Sequence, residues 1–156
     1  AELLAEELDY ELVSMGNLKR QVAKEKDMTL EEFNAWCNDN PVEGDEKFDE
    51  SQREVGRKKN NFIMVSRLGW FFIPHSVKIY IDVDERVGAK RIFDQKQLNA
   101  DRNEFAVSSL EEQEKLNKQR VNGDIDRYKV LYKVNPFKKD NYNIVVDSSN
   151  LNPKEV

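Results

Sequence analysis

The chain has 156 residues, enough for one domain with a sizeable core and too few for two ordinary ones. Charged residues make up 35% and hydrophobic ones 38%, and no apolar run approaches the roughly 20 residues that cross a bilayer, the longest being Phe62–Val65 and Trp70–Pro74. A net charge of −5 argues against a nucleic-acid polymer as partner, and one cysteine (Cys37) with one histidine (His75) rules out an internal disulfide and argues against structural zinc.

In chain order, Leu3, Leu4 and Leu8 form a helical stripe that breaks near Asp9. Glu11-Leu12-Val13 reads as a short strand ending at Ser14-Met15-Gly16. Asn17 to Lys26 is helical, with Leu18, Val22 and Ala23 on one face. Thr29-Leu30-Glu31-Glu32 is a capping-box signature, and Leu30, Phe33 and Trp36 supply the apolar face of the helix it opens. Cys37 falls on that stretch and reads as a packing residue, in keeping with a reducing, cytoplasmic setting. This helix stops near Asn38–Pro41, and a further one is predicted from Asp45 to Lys59, burying Phe48, the stem of Gln52, and Val55. Phe62–Val65 is a continuous apolar run, expected to be a strand buried on both faces. Val77–Val83 alternates and predicts a strand with one more polar face. Asp84 caps a helix reaching Phe93, and Asp94 to Val107 reads as polar, irregular and mobile. Ser108-Ser109 opens a long helix running into Tyr132, Asn143–Asp147 is a last strand with Ile144, Val145 and Val146 buried, and Asn152-Pro153 starts a final helix. No signal or transit pattern is read in the opening residues. The alternation of helix and strand periods predicts an α/β fold with a parallel sheet.

Several arginines stand where such a fold gathers ligands, at strand ends and on the helices that follow. Arg20 lies four residues after Gly16, and Arg67 two residues after the Phe62–Val65 strand. Arg120, Asp124 and Arg127 share one face of the long helix. That face has two readings: an exposed i,i+4 ion pair worth about 0.3–0.5 kcal/mol, or a ligand-binding surface. Arginines converging on one cleft would suit a phosphate, because a guanidinium binds phosphate oxygens bidentately and stays charged.

The run Ser66-Arg67-Leu68-Gly69-Trp70-Phe71-Phe72-Ile73-Pro74 resembles the S-R-L-G-W-x-x-I-P segment of bacterial and archaeal cytidylate kinase-like proteins. Similar stretches are Ser76–Ile81, Ala89-Lys90-Arg91-Ile92-Phe93, Arg127-Tyr128 with Leu131-Tyr132, and Val145–Leu151 with Pro153–Val156. Leu3–Tyr10 is similar to the helix after that family's phosphate loop. The resemblance covers essentially the whole chain. It implies a single P-loop kinase domain over 1–156, a parallel sheet flanked by helices, with a monophosphate-binding arm over about 18–59 and a lid over about 94–107. The implied activity is phosphoryl transfer from ATP, with Mg2+, to CMP or dCMP, in a cytoplasmic monomer acting on small-molecule nucleotides, with no nucleic-acid or membrane partner and no metal held by side chains. By position, Arg20 matches the arginine of an S-G-x-x-x-R element that touches the monophosphate, and Arg67 one that contacts phosphate near the base. Arg120, Asp124 and Arg127 match an R-x-x-x-D-x-x-R helix whose aspartate binds the nucleotide sugar and whose arginines bind phosphate. Arg67 and Arg127 are the implied catalytic cations. Arg91 flanks the lid and Arg102 lies in it, the latter a donor-phosphate contact.

Three features depart from the family pattern. A G-x-x-x-x-G-K-[ST] loop does not occur in this sequence, and family spacing places it before Ala1. The expectation is that the sequence lacks that segment and, as written, does not bind ATP productively. Val65 stands where relatives carry Asp or Glu. Gly123 interrupts the long helix at a cost of about 1 kcal/mol relative to alanine. The alternative function is a nucleotide-binding pseudokinase that senses or scaffolds. Adenylate- or shikimate-kinase-like readings share the architecture but account less well for Ser66–Trp70.

Overall fold

Two parallel strand pairs organise the chain in the computed structural model, which describes residues 1–98 and 107–156. Each pair belongs to its own unit, Ala1–Lys78 or Ile79–Val156. The helix–strand alternation expected from the sequence is present, with the described strands in two two-stranded sheets instead of one.

In the first unit, helix α1 (Glu2–Leu8) closes on Asp9, whose φ of 53° ends the helix in a left-handed turn. Strand β1 (Glu11–Ser14) pairs with β2 (Phe62–Val65), placing Leu12 opposite Ile63 and Val13 opposite Met64. Between them run α2 (Met15–Glu25), α3 (Leu30–Asp39) and α4 (Pro41–Lys58). Helix α2 starts two residues earlier than expected because Ser14 caps it, its hydroxyl accepting from the Asn17 amide at 3.3 Å. Helix α3 opens on the anticipated capping box: Thr29 Oγ1 accepts from the Glu32 amide at 3.2 Å, and Glu32 accepts from the Thr29 amide at 2.7 Å. Helix α4 begins at Pro41 and not Asp45, since proline is preorganised for the first helical position.

Ala23, Phe33, Cys37 and Phe48 form the core of this unit, with Leu18, Val22, Met28 and Trp36 packed against it. Phe33 stacks on Trp36 at 5.7 Å between ring centres and meets Phe48 edge-on at 6.0 Å. Helices α3 and α4 approach so closely that a Cβ on Gly44 would lie 2.8 Å from the Cys37 Cα. The β2 strand is not buried on both faces: its first three residues are half-buried and Val65 is 44% exposed. Among the described residues it bonds to β1 along one edge, which leaves the other uncovered. Val55 is half-buried, whereas Gln52 is fully buried. After β2 the chain turns into the short α5 (Gly69–Phe72).

In the second unit, β3 (Ile79–Asp82) pairs with β4 (Ile144–Asp147). Helices α6 (Glu85–Leu98) and α7 (Leu110–Tyr132) are linked by Arg86–Glu114 at 3.3 Å and Lys118–Glu85 at 3.0 Å. Asp84 caps α6 through the amides of Arg86 and Val87, as expected. That helix passes Phe93 and reaches Leu98, because its last residues are good helix formers and Lys90 bridges to Asp94 at 2.8 Å. Ser109 caps α7, which runs unbroken through Gly123. Ile144 and Val145, expected to be buried, are 47% and 45% exposed, since β4 too is paired along one edge among the described residues. The expected final helix is a single turn over 153–155, capped by Asn152 Oδ1 accepting from the Lys154 amide.

Candidate functional site

The two candidate arginines of the first unit, Arg20 and Arg67, follow the carboxyl ends of β1 and β2, as the sequence predicts. Arg20 projects from the first turns of α2, half-buried, and its Nη1 donates to the Gly16 carbonyl at 3.4 Å. Arg67 is exposed and occupies the turn between β2 and α5. Its backbone is anchored on both sides. Ser66 Oγ donates to Gln52 Oε1 on α4 and accepts from the Leu68 amide at 3.1 Å, and Leu68 itself is 1% exposed.

Helix α4 carries a set of buried polar groups of which the sequence pointed only to the stem of Gln52. Asp45, Asp49 and Gln52 follow one another at helical spacing on α4, and all three are buried. Lys19 Nζ meets Asp45 Oδ1 at 3.0 Å and also sits 5.1 Å over the Phe48 ring. The 45, 49, 52 spacing was visible in the sequence. A charged stripe normally reads as a solvated face, and only a lysine 26 positions away shows otherwise.

In the second unit, Asp124 and Arg127 come together on α7 with Nη2 to Oδ1 at 2.9 Å, and both side chains are nearly buried. The same Nη2 donates to the Tyr128 hydroxyl at 3.2 Å, and the guanidinium lies 4.8 Å from that ring's centre. At these two positions the face is not a solvated one. The pair is buried, and it runs i,i+3. Arg120 lies one turn earlier and is exposed. Arg102 and the centre of the expected lid lie outside the described residues.

Arg91 has a defined task in this unit. Its Nη2 donates to the carbonyls of Ser148 at 2.8 Å, Leu151 at 3.0 Å and Ser149 at 3.3 Å, gathering the turn that leaves β4. Asp82 and Asp147 are register neighbours at the ends of β3 and β4. The Ser149 hydroxyl and then its amide hold the Asp147 carboxyl below its usual range, and the hydrogen bond to Asp82 holds the Lys139 ammonium above its own. Among the described residues no group of three or more His, Cys, Asp or Glu side chains could hold a metal ion, and no helix is long and apolar enough to cross a membrane.

An exposed guanidinium on an anchored turn is chemically suited to an anionic group. The profile of the cytidylate kinase-like family matches residues 1–150. Cytidylate kinase of Methanosarcina barkeri is 33% identical over 159 aligned residues, covering 100% of this chain and 83% of that protein. Cytidylate kinase of Archaeoglobus fulgidus is 39% identical over 93 residues, 59% of this chain and 51% of that protein. A protein of Lacinutrix mariniflava named S-adenosylmethionine-dependent nucleotide dehydratase is 32% identical over 154 residues, 98% of this chain and 30% of its own length. The chain thus spans about half of the second of these relatives and under a third of the last. No solved structure matches.

Proposed function

The chain belongs to the cytidylate kinase-like family, and on that premise we propose that the protein transfers the γ-phosphoryl group of Mg-ATP to CMP or dCMP. The observation that carries this reading is Arg67, an exposed guanidinium on a turn fixed by Ser66 and Leu68 at the carboxyl end of a parallel strand. In the proposal the chain is a P-loop kinase domain, with residues 18–59 as the monophosphate-binding arm and 94–107, including Arg102, as the lid over ATP.

Arg20 and Arg67 bind the acceptor phosphate. Asp124 takes the nucleotide sugar, and Arg120 and Arg127 take phosphate. An oxygen of the acceptor phosphate attacks the γ-phosphorus, the bond from that phosphorus to the β,γ-bridging oxygen breaks, and ADP leaves. The attacking oxygen is already deprotonated at neutral pH, so no general base is needed. Positive charge around the transferring group, from Arg67 and Arg127, is the chain's own contribution. Magnesium enters with the donor nucleotide as part of the substrate, and no step is assigned to it on this chain's carboxylates.

A coupled assay on the protein as its gene encodes it, offered each nucleoside monophosphate, tests the proposal. ADP release with CMP or dCMP is the expected result, and absence of turnover with every pyrimidine monophosphate overturns it. A second reading, a nucleotide-binding pseudokinase, is favoured by Val65, which stands where the family pattern has an acidic residue. It predicts calorimetric nucleotide binding without turnover. The gene sequence upstream of Ala1 separates the two, since the kinase needs a loop ending in Lys-Ser or Lys-Thr. The match to a relative named as a nucleotide dehydratase supports a variant of the first reading, in which such a kinase unit is one part of a longer nucleotide-processing chain.

A further inference from the structure

A buried carboxamide is stable only if both of its ends find partners. Gln52 is 4% exposed, and its nitrogen donates to the Phe48 carbonyl and to Asp49 Oδ1, each at 3.4 Å. Those two acceptors fix which end of the amide is nitrogen, so Oε1 presents to the strand side, where it accepts from Ser66 Oγ. Ser66 in turn accepts from the Leu68 amide at 3.1 Å. One polar chain therefore runs from Asp49 through Gln52 and Ser66 to the far side of Arg67. An apolar residue would pack α4 here at lower desolvation cost. What the carboxamide adds is a fixed bond to the residue just before Arg67.

We propose that Gln52 is a positioning residue for Arg67: through Ser66 it fixes the backbone beneath an exposed guanidinium, so that the arginine is oriented before the acceptor phosphate arrives. This rests on the phosphate-binding reading of Arg67. Orienting a flexible arginine in advance lowers the entropy lost when it grips a phosphate, an effect felt in acceptor binding more than in turnover. The signature is thus a rise in KM for the monophosphate that exceeds any fall in kcat.

The test varies CMP at saturating Mg-ATP, using the protein as its gene encodes it. Ser66→Ala and Gln52→Ala each raise KM for CMP roughly tenfold, the size expected for one lost hydrogen bond at a binding group. Ser66→Thr, which keeps the hydroxyl, restores the native KM. In an Arg67→Ala background neither substitution lowers kcat/KM further, because the group they position is gone. Should Gln52→Ala fail to fold, the Ser66→Ala and Ser66→Thr pair decides alone, with melting temperature as the fold control. The proposal is overturned if Ser66→Ala leaves KM at its native value while Arg67→Ala is severely impaired, or if the two losses multiply. Normal turnover of CMP by Arg67→Ala would bring down the phosphate reading itself, and this proposal with it, a result recognisable without any change at Gln52.

Discussion

Replacing Asp45 by alanine removes one half of a buried ion pair and tests the reasoning about the helical arm directly. Side-chain exposure is 2% for Asp45 and 14% for Lys19, so the substitution takes a carboxylate 3.0 Å away from an ammonium that lies largely out of water. Breaking a buried pair in this way costs about 3–5 kcal/mol. The partial exposure of Lys19 and its position 5.1 Å over the Phe48 ring put the expectation at the lower end, about 3 kcal/mol. For a chain of this size that is a fall in melting temperature of about 6–12 °C. Both tryptophans, Trp36 and Trp70, lie in the Ala1–Lys78 unit, so tryptophan fluorescence during urea titration reads this unit alone. The double variant Lys19→Met with Asp45→Val, apolar and closer to the native side chains in size, should regain most of the loss, since two well-packed apolar groups replace a pair with a desolvation cost. A loss below about 1 kcal/mol in the single variant, or a double variant no more stable than the single one, would refute the argument.

Three further outcomes are expected. Gly44→Ala places a methyl 2.8 Å from the Cys37 Cα, a backbone contact that cannot swing aside, and should destabilise the first unit by about 1–3 kcal/mol in the same titration. Asp124→Asn removes the carboxylate bonded to the Arg127 guanidinium, which is 5% exposed; thermal melts followed by far-UV circular dichroism should show a loss of about 3 kcal/mol, against less than about 0.5 kcal/mol for the exposed Arg120→Ala. The Glu32 carboxyl is held below its ordinary 4.5 by the Thr29 amide and then the Thr29 hydroxyl. A depressed carboxylate contributes stability that is present above 4.5 and disappears as pH falls through its folded value, so the advantage of the native chain over Glu32→Gln should be constant near neutrality and close below pH 4.5.

What could be read from the sequence was local. The Thr29 capping box, the Phe62–Val65 strand and the juxtaposition of positions 124 and 127 each depend on residues within a turn or two, and each stands in the structure. Helix ends were read less well: Ser14 and Pro41 are strong start signals that were placed a few residues off, and the stretch after Phe93 was taken as loop because it is polar, although its residues favour helix. The burial of Val65, Ile144 and Val145 was misjudged because an apolar run shows that a strand can be buried, not what covers it. The Lys19–Asp45 and Gln52–Ser66 contacts join positions 26 and 14 apart, and no periodicity encodes such pairs.

The two buried ion pairs differ in a way that bears on function. Lys19–Asp45 joins α2 to α4 across 26 positions, so its geometry helps to specify how two helices meet, a recognised use of buried charge. Asp124–Arg127 joins neighbours on one helix. Desolvating both groups costs free energy, and a buried ion pair often stabilises no more than apolar residues of similar volume would. Fold stability is thus a poor reason to bury this pair. A carboxylate that holds a guanidinium in one orientation within a low-dielectric surrounding is what binding of a sugar hydroxyl and a phosphate requires, because such groups then need no reorganisation when charge arrives. The burial of Asp124 and Arg127 therefore supports their proposed nucleotide roles more strongly than their spacing did.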